Sequence, residues 1–102
     1  GLPKATLLFL LKQLALELGE HKISVNGVNA DKIRSGLLTS EMIQNRSKSR
    51  GLDESKYMKG NLLGEEVKAI HVAEGFLALA KSERTSAHIL TIDGGNIEAS
   101  LR

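Results

Sequence analysis

Apolar residues fall at helical spacing almost from the first position. Leu7, Leu10, Leu11, Leu14 and Leu18 recur at steps of three and four and form one stripe. Pro3 suits a first turn, where its missing N–H costs nothing, and Gly19 suits the stop, so the pattern predicts a helix over 1–20. Ala5, Phe9 and Leu16 make a second apolar stripe on another side of that helix. One stripe is enough to pack against a sheet, whereas two require cover on both sides. Ile23, Val25 and Val28 follow in a short β-rich run that predicts a strand over 22–29.

The pattern then turns polar. From Asp31 to Gly64 the chain is punctuated by glycine and predicts a lid-like segment over 31–64 with two short helices. One covers about Ser40 to Ser47, capped by Thr39 or Ser40; the other covers about Glu54 to Lys59, capped by Asp53. A second long helix is expected over 65–81, with Val67, Ile70, Val72, Ala73, Phe76, Leu77, Leu79 and Ala80 as its apolar positions. Ile89, Leu90 and Ile92 predict a strand over 88–93, and 94–102 is a tail. A strand directly after a helix reads as an αβ unit of a parallel sheet, which places the chain in the α/β class. Two strands cannot bury both stripes of the first helix and a second amphipathic helix, since a two-stranded sheet is marginal in water. The expectation is the second half of a larger α/β domain, or a chain completed by oligomerising.

Composition narrows the class of function. The 102 residues make one small domain at most, and 41% hydrophobic content is too high for disorder. Aromatics are only 3%, too few for a base-stacking platform. Lys+Arg 14 against Asp+Glu 12 leaves a net charge of +2, so no strong field steers the chain to nucleic acid or membrane. Cys 0 excludes disulfides and thiolate metal sites and fits a reducing cytosol. The apolar run from Ala5 to Leu11 ends at Lys12, short of the ~20 residues that span a bilayer. A cytoplasmic location is expected, with no nucleic acid and no membrane as partners.

Candidate chemistry is sparse. Lys4 alone reads as a solvated lysine near a helix end. His21, His71 and His88 have no metal-ligand spacing. Arg46, Lys48, Arg50, Lys56 and Lys59 invite a nucleic-acid reading, but Glu41, Asp53 and Glu54 dilute them, and a solvated surface is favoured. In "DGGN" at Asp93 to Asn96 the glycines either make a turn or admit a close approach by another chain or a ligand.

Taken in order, these pieces resemble the carboxy-terminal half of a short-chain dehydrogenase/reductase. That family reads Tyr-x-x-x-Lys, a long helix with "LALELG", a strand "I-x-VN-x-V", a Pro-Gly loop, a substrate lid, a helix and a strand ending in "DGG". The corresponding stretches are Lys4, "QLALELG" at Gln13 to Gly19, "ISVNGVN" at Ile23 to Asn29, the Ser40 to Lys59 lid, the Val67 to Ala80 helix and "LTIDGG" at Leu90 to Gly95. The tail "LTIDGGNIEASLR" and the loop "NAD" are similar to the dehydrogenase part of bifunctional aldolase/short-chain dehydrogenases, a group linked to rhamnulose-phosphate and lactaldehyde metabolism.

The resemblance implies a Rossmann-type doubly wound parallel sheet and an NAD- or NADP-dependent oxidoreductase that interconverts an alcohol and a carbonyl. It implies that Lys4 lowers the pKa of a catalytic tyrosine and binds the nicotinamide ribose. Asn29, Ala30 and Asp31 fall on the loop that shapes the nicotinamide pocket. Ile33 and Ser35 fall where the family places a backbone contact and a hydroxyl to the carboxamide. Ala30-Asp31 departs from the family's Pro-Gly, removing a fixed φ and adding a carboxylate. Counting back from Lys4, the motif tyrosine falls one position before Gly1, and the glycine-rich loop and catalytic serine fall further upstream. The expectation is therefore an inactive fragment with no cofactor bound on its own. A homo-oligomer is expected through the Lys4–Gly19 helix and the last helix–strand unit. The rival reading is a non-enzymatic αβ interaction module.

Overall fold

The computed structural model describes residues 3–35 and 38–96. Positions 1–2 of the expected first helix, 36–37 of the expected lid and 97–102 of the tail lie outside the described residues. The elements run α1 (Lys4–Gly19), β1 (Gly27–Ala30), α2 (Ser40–Ser49), α3 (Glu54–Met58), α4 (Ala69–Lys81) and β2 (Ile89–Ile92). They fall into two compact units: Gly1–Asn29 with Glu74–Thr91, and Ala30–Ala73 with Ile92–Arg102.

In the first unit, Thr6 N and Leu7 N donate to Pro3 O at 3.0 and 3.1 Å, so Pro3 stands just outside α1 rather than in its first turn. The helix ends at Gly19, as the sequence predicts, but the glycine is not its left-handed residue. Lys22, not Gly19, takes the left-handed conformation (φ 60°), with Lys22 N donating to Gly19 O and Ile23 N to Leu18 O. That pair of bonds satisfies the last carbonyls of the helix. The inward face also differs from the expected stripe. Leu8, Leu11, Ala15 and Leu18 are half-buried, while Leu7, Leu10 and Leu14 are exposed along with Phe9 and Leu16. Leucines lie all round this helix, so spacing alone does not choose among its faces.

The two strands pair directly. Ala87 N donates to Val25 O and Gly27 N to His88 O, so both strands advance together and are parallel. Regular pairing starts at Gly27, not at residue 22, because side chains take part in most of the bonds made by Val25 and Asn26. Val25 N donates to Ser86 Oγ, Asn26 Nδ2 donates to Thr85 O, and His88 N donates to Asn26 Oδ1, each at 3.1 Å. Gly27 lets α1 lie close: a Cβ there would stand 2.8 Å from Leu11 Cδ1.

The second unit carries the core. Leu38, Ile43, Tyr57 and Met58 form one buried cluster with Met42 against it, inside the segment that reads as polar in sequence. Thr39 caps α2 by accepting from Met42 N, and Asp53 caps α3 by accepting from Lys56 N at 2.7 Å. α4 begins at Ala69 rather than 65. Lys68 N donates to His71 Nδ1 at 2.8 Å, so a histidine at the third helical position satisfies the N–H that opens the helix. Asn61 and Arg34 tie down the residues before it: Asn61 Nδ2 donates to Glu65 O, and Arg34 bridges Glu66.

Candidate functional site

The two readings of the glycine pair resolve within the second unit. Leu62 N donates to Gly95 O at 2.8 Å and Leu63 N to Gly94 O at 3.1 Å. Gly94 (φ +70°) lies against the Asn61 side chain and Gly95 (φ +84°) against Leu62. What approaches these glycines closely is the chain itself. Asp93 Oδ1 accepts from Gly95 N and holds the turn.

Lys4 and Asn29 come together in the first unit. Both line a cavity of about 180 Å³ whose other walls are Leu7, Leu8, Leu11, Gly27, Val28 and Ile89. Lys4 starts α1 and is exposed, and its Nζ makes no hydrogen bond or ion pair among the described residues. Asn29 sits near the C-terminal end of β1, the end at which open α/β sheets bind ligands. The cavity is therefore aliphatic, with an ammonium and a carboxamide among its lining.

Ala30 is the last residue of β1 and exposed, as is Asp31. Ile33 and Ser35 belong to the second unit. Ser35 Oγ accepts from Leu38 N at 3.3 Å, and Ser35 N donates to Leu38 O at 3.1 Å. Two residues that sequence reasoning did not single out flank Ile33. Lys32 Nζ donates to Tyr57 O at 3.2 Å and stands 5.0 Å from the centroid of the Tyr57 ring. Arg34 Nε and Nη2 donate to Glu66 Oε2 and Oε1 at 3.0 and 3.1 Å. This hydrogen-bonded fork, partly offset by desolvation, raises Arg34 above and holds Glu66 below their ordinary ranges. Opposite charges 32 positions apart are invisible to any local pattern.

The remaining candidates carry no assembled chemistry. His21, His71 and His88 are exposed, and no group of three metal-ligating side chains occurs among the described residues. Arg46, Lys48, Arg50, Lys56 and Lys59 are all exposed. Tyr57, the chain's single tyrosine, is 3% exposed and packed in the core. No helix among the described residues is long and apolar enough to cross a membrane.

Comparison with known proteins places this arrangement. The family pattern described as enoyl-(acyl carrier protein) reductase matches residues 1–96. Short-chain dehydrogenase reductase 4 of Arabidopsis thaliana is 34% identical over 94 residues, which is 90% of this chain and 30% of that protein. A short-chain dehydrogenase family protein of Francisella tularensis subsp. tularensis matches in structure with TM-score 0.71 and 25% identity, over 89% of this chain and 40% of that one. L-sorbose reductase from Gluconobacter frateurii, solved with NADPH and L-sorbose, matches with TM-score 0.72 and 22% identity, over 93% of this chain and 38% of that one. The fold is Rossmann-like α/β, and the chain spans about a third of the length of these relatives.

Proposed function

Since the chain belongs to the short-chain dehydrogenase/reductase family, we propose that it forms one wall of a nicotinamide site in an alcohol–carbonyl oxidoreductase. The observation that carries this reading is the pairing of Lys4 with Asn29 on one cavity at the end of β1. A lysine ammonium offers three donors and no acceptor, which suits the paired hydroxyls of a ribose. Its lack of an internal partner among the described residues leaves those donors for a ligand.

In this reading the nicotinamide, when bound, exchanges hydride with the carbonyl carbon. Lys4 holds the ribose, and its charge favours the ionised form of the acid that exchanges the proton with the carbonyl oxygen. That acid is not Tyr57, whose burial in the core keeps it from any substrate. The backbone of Ile33 and the hydroxyl of Ser35 meet the carboxamide, with Asn29, Ala30 and Asp31 shaping the pocket. The cofactor of this reading is NAD or NADP; several structural neighbours were solved with NADPH, which supports the phosphorylated form. The "NAD" loop and the "LTIDGGNIEASLR" tail support a small hydroxyaldehyde or sugar-derived substrate of the rhamnulose-phosphate and lactaldehyde kind.

The exposed stripe of Phe9 and Leu16 supports assembly through α1, and Phe76 and Leu77 support the last helix–strand unit. The same exposure is what a non-enzymatic interaction module would present, so turnover decides between the two. In the protein carrying the complete domain, reduction of lactaldehyde by NADPH and by NADH is the direct assay. Lys4→Met is expected to lower kcat by about 100-fold or more. An unchanged rate refutes the role of Lys4, and no reduction with either nucleotide favours the module.

A further inference from the structure

Ile33 is flanked by two cations that both turn back into the second unit. Lys32 adopts φ 52°, a left-handed conformation that a β-carbon disfavours, so something else holds it there. Its Nζ bonds Tyr57 O at the end of α3, and Tyr57 is fixed in the core against Ile43 and Met58. Arg34 makes a two-pronged fork with Glu66, whose side chain is only 18% exposed and whose neighbour Val67 is buried. These contacts span 25 and 32 positions of sequence and contribute to no helix or strand. Ser35 is then fixed by its paired bonds with Leu38.

We propose that Lys32 and Arg34 are positioning residues that brace the 31–35 loop from two sides and so set Ile33 and Ser35 for the nicotinamide carboxamide. This rests on the nicotinamide reading given above. Neither residue contacts the nucleotide in this scheme. Loosening either one lets the loop sample positions in which the carboxamide contacts are absent, which weakens nucleotide binding without touching the proton or hydride path. Geometry also distinguishes the fork from simple charge: a lysine at position 34 keeps the charge and loses the second prong.

The test uses the protein with its complete domain and the variants Arg34→Met, Arg34→Lys, Glu66→Gln and the exchange Arg34→Glu/Glu66→Arg. Each of the first three is expected to raise the nucleotide KM about fivefold while kcat stays within about twofold. The exchange variant is expected to recover part of that loss. Amide hydrogen exchange of residues 31–35 without nucleotide is the second readout, and it is expected to quicken in Arg34→Met and in Lys32→Met. Faster exchange with an unchanged KM overturns the proposal and leaves the nicotinamide reading standing. A fall in kcat with KM unchanged also overturns it. Wild-type protein that shows no nucleotide-dependent turnover overturns the nicotinamide reading itself, and the proposal with it.

Discussion

Replacing Gly94 with alanine probes whether the glycine pair serves the chain's own packing. A Cβ at Gly94 would fall against Asn61 Cγ, 2.5 Å from Oδ1 and 2.7 Å from Nδ2. Non-bonded atoms do not tolerate these spacings, so Asn61 must move. It is tethered: its amide donates to Glu65 O at 2.7 Å and accepts from Glu65 N at 3.4 Å. Holding φ +70° costs alanine about 1–2 kcal/mol more than glycine. Releasing the shorter Asn61 bond adds about 1 kcal/mol. The expected loss is therefore about 2–3 kcal/mol, read as a lower urea midpoint at unchanged slope. In an Asn61→Ala background the collision disappears and only the backbone part remains, about 1–2 kcal/mol. An equal loss in both backgrounds would refute the close approach as the reason for glycine.

Gly27 gives the opposite outcome from a similar distance. Its Cβ would meet Leu11 Cδ1 at 2.8 Å and Ile89 Cδ1 at 3.3 Å, both flexible ends on the wall of a cavity that can take them. Gly27→Ala is expected to cost under about 1 kcal/mol in the same denaturation assay, and a loss beyond 3 would contradict it. His71→Gln keeps an acceptor for Lys68 N, whereas His71→Leu strands it, so the leucine variant should be about 0.5–1 kcal/mol less stable; equal melting points would sink the cap. Glu66 is held below its ordinary value of 4.5 by Arg34, and the unfolded chain returns it to that value. Its contribution is thus full above the ordinary value and lost as pH falls through the lower folded one. Wild-type protein should lose its advantage over Glu66→Gln in that acid window, and a constant gap would refute the pairing. Leu16 is 74% exposed, so Leu16→Glu should leave the chain's stability unchanged yet lower the mass of the proposed oligomer by light scattering. An unchanged mass excludes that face as an interface.

Sequence made some features visible and hid others for identifiable reasons. The caps Thr39 and Asp53 were legible because an oxygen-bearing residue before a helical run satisfies orphan N–H groups locally. α1 was legible from leucine spacing, but not its inward face, because leucine at so many positions removes the contrast that periodicity needs. The lid core was not legible. Leu38, Ile43, Tyr57 and Met58 are scattered through a polar tract and meet only through the turn between α2 and α3. The start of β1 was placed too early because Ile23 and Val25 look β-like, yet Val25 N donates to the Ser86 hydroxyl rather than to a strand carbonyl. Lys4 and Asn29 were named by resemblance, and only the fold brings them to one cavity.

Burial is distributed unevenly along the chain, and the distribution bears on how the residues of the proposed nicotinamide wall are held. The buried hydrophobic residues among those described are Leu38, Ile43, Tyr57, Met58 and Val67, all in the second unit. α1, which presents Lys4, has none. Burying an exposed leucine or phenylalanine contributes about 1.5–3 kcal/mol, so Leu7, Phe9, Leu10, Leu14 and Leu16 hold stabilisation that the chain's own contacts do not realise. Ile33 and Ser35 sit in a unit with its own core, braced by Lys32 and Arg34. On the proposed reading, the residues assigned to the carboxamide are therefore held by a unit with its own core, while Lys4 stands on a helix with no buried residue.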